Sequence, residues 1–247
     1  MKNILIAFCA PSLSIPLNYH HQVQSLLYHL LQVENTDIEL HDKGVSYGAR
    51  QYKLFTFSSL RGEKKIIDDQ ICFDKIIYLD VRSVREDFCN SLLKSLSANI
   101  ELQLFGNPLM LNSVKWNDPK IKSNNLKIKM LSPLTVHKTD ARGYINYLSP
   151  LDSQFAEEIN NNFSRKYYAF YGHNPSANII IKARAVGAQD KYLTLYKKAH
   201  NAGEKDIYIT GWRGEYELSG QPEYLNFLYY CGLGARNSSG FGMFELV

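Results

Sequence analysis

The same order of apolar periods occurs twice along this chain, and that repetition limits the fold more than any single motif. Ile4–Phe8 is a short apolar run that reads as a strand. Asn18 then caps a helix to about Val33, with Val23, Leu26, Leu27, Leu30 and Leu31 at helical spacing. Tyr52–Ser58 alternates and is aromatic, which predicts a strand. Lys64–Phe73 reads as a hairpin tip leading into a strand at Lys75–Val81. Ser83-x-x-Glu86 forms a capping box that opens a second helix carrying Val84, Phe88, Leu92 and Leu96 on one face. Strands at Ile100–Phe105 and Leu109–Trp116 close the first half.

Asp118–Asn125 is polar, contains Pro119 and reads as a linker. The order then recurs. Leu126–Leu131 and Leu134–His137 are strand material, and Pro150–Tyr167 is a helix with Phe155, Ile159 and Phe163 inward. Asn178–Val186 and Asp206–Leu218 are strands, Pro222 starts a helix that stops before Gly232, and Gly242–Val247 is a last strand. Each half reads β-α-β-β-α-β, which makes the chain α+β: two tandem ferredoxin-like (RRM-like) domains, residues 1–118 and 125–247. That fold serves many functions, so function must come from sites.

Composition narrows the classes. At 45% hydrophobic and 21% charged, the chain is an ordinary globular protein. No apolar run reaches the ~18–20 residues of a membrane helix. Ile4–Ala10 is at the short limit of a signal-peptide core and suits a first strand better. Cys9, Cys72, Cys89 and Cys231 lie far apart, with no CxxC pair, which excludes a zinc ribbon or disulfide framework and suits a reducing cytoplasm. Residues 1–118 carry 12 Lys and Arg against 13 Asp and Glu, whereas residues 119–247 carry 16 against 11. The more basic second half admits an anionic partner without requiring one.

The run Gly232-Leu-Gly-Ala-Arg-Asn-Ser-Ser-Gly-Phe-Gly-Met before the final strand is the most specific feature. Gly232 and Gly234 stop the helix and admit positive φ, Gly240 and Gly242 flank Phe241 and let the backbone come close to a partner, and Arg236, Asn237, Ser238 and Ser239 supply donors suited to phosphate. The same glycines equally suit a tight helix–strand connection, and the residues alone leave both readings open. No Gly-Lys-Ser/Thr follows, so this is not a Walker loop.

This tail resembles the glycine-rich loop of the RAMP superfamily, and within it the Cas-six family of CRISPR repeat endoribonucleases. The first helix with Asn18 and Gln22, the Tyr-Lys-Leu-Phe-Thr-Phe-Ser strand and Leu131-Ser-Pro-Leu134 are similar to that family as well. The resemblance implies two ferredoxin-like domains and cleavage of CRISPR precursor RNA within its repeat, without metal or cofactor, by the RNA's own 2′-hydroxyl. It assigns the chemistry to Tyr28, His41 and Lys53: a histidine to move protons, a lysine to stabilise phosphate and a tyrosine to orient either. His20 and His21 on the first helix are the rivals of His41, while His137, His173 and His200 read as structural or solvated. Lys182 and Arg184, two apart on one strand, and Arg142 join the tail as RNA-binding candidates. The expected partner is CRISPR repeat RNA, with CRISPR effector-complex proteins or a homodimer mate as further partners and no membrane. The alternative within the superfamily is a non-catalytic RNA-binding subunit of an effector complex, which has no need of Tyr28, His41 and Lys53. The sequence shows no HExxH, no clustered carboxylates and no paired Cys/His spacing, so no metal site is expected.

Overall fold

The computed structural model of the protein describes residues 1–32, 44–48, 50–98, 101–193 and 208–247. The first half contains β1 (Lys2–Cys9), α1 (His20–Gln32), β2 (Phe55–Phe57), β3 (Ile76–Ser83), α2 (Glu86–Leu96), β4 (Leu102–Leu104) and β5 (Asn107–Asn117). They form an antiparallel sheet in the order β2-β3-β1-β5-β4. Alternation along β1 sends Ile4, Ile6 and Phe8 to one face, where Val23, Leu27 and Leu30 of α1 and Phe88 and Leu92 of α2 cover them.

The second half contains β6 (Asn125–Met130), α3 (Phe155–Tyr171), β7 (Ile180–Leu193), β8 (Tyr208–Ser219), α4 (Pro222–Cys231) and β9 (Phe244–Leu246). Its sheet runs β7-β8-β6-β9. In both sheets the half's first strand lies between its third and its closing strand, with the second outside the third. Phe163 of α3 and Phe227 and Tyr230 of α4 are fully buried against Ile128, Tyr216 and Leu218 of this sheet. Among the described residues no helix is long and apolar enough to cross a membrane.

Several local expectations change. The strand expected over 52–58 is split into Arg50–Tyr52 and β2, because Leu54 turns left-handed (φ 56°). Its side chain is buried in the second half's core while Phe55 and Phe57 stay in the first. That tertiary reward offsets a left-handed cost of ~1–2 kcal/mol. Ser83 ends β3 rather than boxing α2: it donates to the Leu54 carbonyl at 2.9 Å and accepts the Arg85 N–H at 3.0 Å, and Arg85 is the N-cap. The Lys64–Phe73 hairpin is not a lead-in to β3 but pairs with Leu13–Pro16 as a separate three-stranded sheet.

The halves are joined through buried polar contacts. Arg82 of β3, 4% exposed, donates to Asn3 Oδ1 at 2.9 Å and to the Phe244 carbonyl at 2.5 Å. Its guanidinium lies 3.8 Å from the centroid of the Tyr229 ring, a desolvated cation–π contact worth about 2 kcal/mol. Thr56 of β2 donates to the Phe241 carbonyl at 3.1 Å, and the Ser59 N–H to the Leu131 carbonyl at 3.1 Å. The edge of the first sheet therefore rests on the tail of the chain.

Candidate active site

α4 stops at Gly232 (φ 83°), and the chain from Leu233 to Met243 folds back beneath β2. Its centre is a single 3₁₀ turn, Asn237–Ser239, between Arg236 (φ 59°) and Gly240 (φ 84°). Two buried side chains fix this turn. Lys166 of α3, 2% exposed, donates to the Gly232 carbonyl at 2.6 Å, the Gly234 carbonyl at 3.2 Å and Asn237 Oδ1 at 3.0 Å. Asn237 Nδ2 donates to the Leu233 carbonyl at 2.8 Å and the Phe241 carbonyl at 3.0 Å. Burial lowers the Lys166 pKa from its ordinary value, and the three oxygens meet all three of its donors. At Gly240 a Cβ would lie 2.5 Å from the Phe57 ring, so glycine is required there for space as well as for φ.

This loop leaves one side of the turn open. The N–H groups of Arg236, Asn237 and Ser238 have no acceptor among the described residues, whereas those of Ser239 and Gly240 bond back to Arg236 and Asn237. Above them is a cleft of about 550 Å³. Gly234, Arg236, Asn237, Ser238 and Ser239 line one wall, and α1 contributes Gln24 and Tyr28. The hairpin Val45–Tyr52 and the chain after it contribute Arg50 and Lys53, and α3 contributes Glu158, Asn162 and Arg165. His137 enters from the hairpin His137–Thr139/Ile145–Tyr147.

The structure therefore brings together Tyr28, Lys53 and most of the tail from distant parts of the sequence. Tyr28 is half-buried, sits edge-on to Phe55 (centroids 6.0 Å) and accepts a hydrogen bond from Gln24 at 3.4 Å. Lys53 is half-buried at the break between the two strand pieces. His41 lies outside the described residues, as does His200. His20 is a core residue, 4% exposed, stacked between Tyr19 (4.7 Å) and Phe241 (5.5 Å). Burial, then the charge of Arg213, pushes its pKa down to about 3, so it is neutral at physiological pH. α1 presents Gln24 and Tyr28 to the cleft and not His21.

The outlying basic candidates do not line the cleft. Arg184 occupies a bulge in β7, where the register shifts between Ala183 and Ala185, and pairs with Glu217 at 3.4 Å. The bulge resets the alternation, so the two-residue spacing does not by itself put Lys182 and Arg184 on one face. Arg142 is exposed in the turn of the His137–Tyr147 hairpin. The side chain of Asn237 is spent inside the protein, which leaves Arg236, Ser238 and Ser239 as the tail's outward polar groups. Arg50, Arg165 and His137 are cleft residues that no local pattern picked out. Among the described residues no three His, Cys, Asp or Glu side chains cluster.

The comparisons agree along the whole chain. Residues 14–115 match the family described as CRISPR-associated protein Cas6, N-terminal, and residues 116–246 match CRISPR associated protein Cas6, C-terminal. The CRISPR-associated endoribonuclease Cas6 2 of Methanocaldococcus jannaschii is 30% identical over 242 residues, covering 92% of this chain and 91% of the relative. The CRISPR-associated endoribonuclease Cas6 of Pyrococcus furiosus is 26% identical over 240 residues, covering 94% and 83%. A solved structure described as a RAMP protein binding different RNA substrates superposes with a TM-score of 0.83 at 20% identity, covering both chains completely, which bears on the fold alone.

Proposed function

The chain belongs to the Cas6 family of CRISPR-associated proteins, and we propose that it is an endoribonuclease that cuts CRISPR precursor RNA within the repeat, using the RNA's own 2′-hydroxyl and no metal ion. The single observation that carries this reading is the cleft itself. It gathers Tyr28, Lys53 and the Arg236 loop from opposite ends of the chain, an assembly that a purely binding subunit does not need. The arrangement shared by the two sheets, with the first strand between the third and the closing strand and the second outside the third, and family matches that meet between residues 115 and 116, support two ferredoxin-like domains, 1–118 and 125–247.

The roles follow from the chemistry of transesterification. The 2′-oxygen bonds to phosphorus, the 5′-oxygen leaves, and the products are a 2′,3′-cyclic phosphate and a 5′-hydroxyl. Charge builds on the non-bridging oxygens, where Lys53 stabilises it. Tyr28 orients the reacting groups, and His41 carries a proton. The tail holds a phosphate through the side chains of Arg236, Ser238 and Ser239 and the open backbone N–H groups of Arg236, Asn237 and Ser238, within the Gly234–Gly240 stretch, with the Asn237 side chain keeping the loop in shape. The exposed Lys182, Arg184 and Arg142 carry flanking RNA, Arg184 the least because Glu217 already shares its charge.

Cleavage is expected to proceed in EDTA at the rate seen without it. Loss of cutting in EDTA, restored by a divalent ion, contradicts the mechanism. Arg236→Ala is expected to weaken RNA binding and flatten the slope of log K against log salt by about 0.7, the effect of one single-strand phosphate contact. Its cleavage at saturating enzyme stays near that of the parent. Unchanged affinity and slope in a filter-binding salt series would reduce the tail to a connector.

A further inference from the structure

We propose that Tyr47 and Tyr168 form a platform outside the cleft on which one unpaired base of the RNA stacks, within a few nucleotides of the cut. This deepens the endoribonuclease reading above and rests on it.

The two tyrosines come from opposite halves of the chain. The hairpin Val45–Tyr52 pairs Val45 with Tyr52 and Tyr47 with Arg50, so alternation puts these four side chains on one face. Val45 and Tyr52 pack against the second hydrophobic core and fasten the hairpin there. The outer pair continues past that core toward α3. Along α3, Glu158, Asn162 and Arg165 line the cleft at spacings of four and three, and Tyr168 follows three residues later, one turn beyond it. There the Tyr47 and Tyr168 rings meet edge to face, with centroids 5.3 Å apart and an interplanar angle of 84°.

Tyr47 is 37% exposed and Tyr168 40%, although the hairpin is already anchored by Val45 and Tyr52. An edge-to-face contact engages the edge of one ring and one face of the other, so aromatic face remains for a ligand. The charges beside the pair select that ligand. Arg50 is the cross-strand partner of Tyr47, Arg165 lies one turn before Tyr168, and both line the cleft. Neither arginine has an ion-pair partner among the described residues. Glu158 is the one carboxylate among the described cleft-lining residues, against Arg50, Lys53, Arg165, Lys166 and Arg236. Cations that follow a phosphate backbone beside rings that take the bases are how a single strand is held. Every base has a π-face, so this platform requires that a base be present and tolerates which base it is.

The test is binding of a repeat RNA that carries a 2′-deoxy nucleotide at the cut, with single bases removed in turn from the nucleotides on either side. In the full chain, removing the base at one of these nucleotides is expected to weaken binding by roughly 5–150-fold, the ~1–3 kcal/mol of one stacked base, while exchanging it for another base changes affinity only a few-fold. Tyr47→Leu/Tyr168→Leu, checked for folding by its melting curve, is expected to bind the complete RNA as weakly as the parent binds the abasic one and to lose nothing further from the missing base. Tyr47→Phe/Tyr168→Phe is expected to restore the dependence on that base. A parent indifferent to every missing base overturns the platform, as does a leucine variant that loses affinity equally for complete and abasic RNA, since the tyrosines would then only hold the hairpin. Should the leucine variant fail to fold, the parent decides: 5-iodouridine at the sensitive nucleotide must cross-link to Tyr47 or Tyr168 under ultraviolet light, and cross-links only elsewhere overturn the assignment. A parent that cuts the natural repeat but shows no sensitive base overturns the platform alone. A parent that neither binds nor cuts repeat RNA overturns the function, and the platform with it.

Discussion

His41→Ala is expected to slow repeat cleavage by roughly 10²–10⁴-fold while leaving RNA affinity nearly unchanged. A residue that only moves a proton in the transition state costs rate when removed and leaves ground-state binding nearly untouched. Among the rivals, His20 is packed between two aromatic rings with its pKa pushed down to about 3, and His21 does not line the cleft. Single-turnover rates at saturating enzyme separate these cases. A His41→Ala protein that cuts normally beside a His21→Ala protein that does not would place the chemistry on α1.

Gly242→Ala is expected to destabilise the protein by about 2–5 kcal/mol, a large part of the ~5–15 kcal/mol that a domain has. Gly242 has φ 78°, where a side chain costs ~1–2 kcal/mol, and its Cβ would be driven into the Leu233 carbonyl and to 2.6 Å from Asn237 Nδ2. Overpacking of that kind adds ~1–3 kcal/mol. Gly106 (φ 74°) has no atom within 4 Å of such a Cβ, so Gly106→Ala bears the conformational cost alone. Urea midpoints at constant m compare the two. Equal losses would show that the tail is not held by close packing. Because Asn237 Nδ2 is one of the groups displaced, Gly242→Ala also loosens the turn that presents Arg236, and RNA affinity falls with stability.

The larger features of the fold were legible because burial writes periodicity into the chain. The spacing of Val23, Leu27 and Leu30, and of Phe155, Ile159 and Phe163, reports helix faces that do cover the sheets. His20 lies three and seven residues before Val23 and Leu27, a core spacing that marks it as packed rather than reactive. What the sequence hid is set by partners far away. Leu54 breaks its strand because the second half's core accepts its side chain. Asn237 turns inward because Lys166, 71 residues earlier, meets it there. Ser83 caps Leu54 rather than a helix. Arg184 shares Glu217 because a bulge shifts its strand. His137 has no local signature, and its place in the cleft depends on a hairpin whose position the tertiary fold decides.

The most direct measurement compares a repeat RNA with the same RNA carrying one 2′-deoxy nucleotide at the cut site, both incubated in EDTA with the full chain. The account predicts equal binding of the two, cutting of the natural RNA to a 2′,3′-cyclic phosphate and a 5′-hydroxyl, and no cutting of the deoxy RNA. Cleavage of the deoxy RNA at that position, or a 5′-phosphate on the downstream fragment, would contradict it.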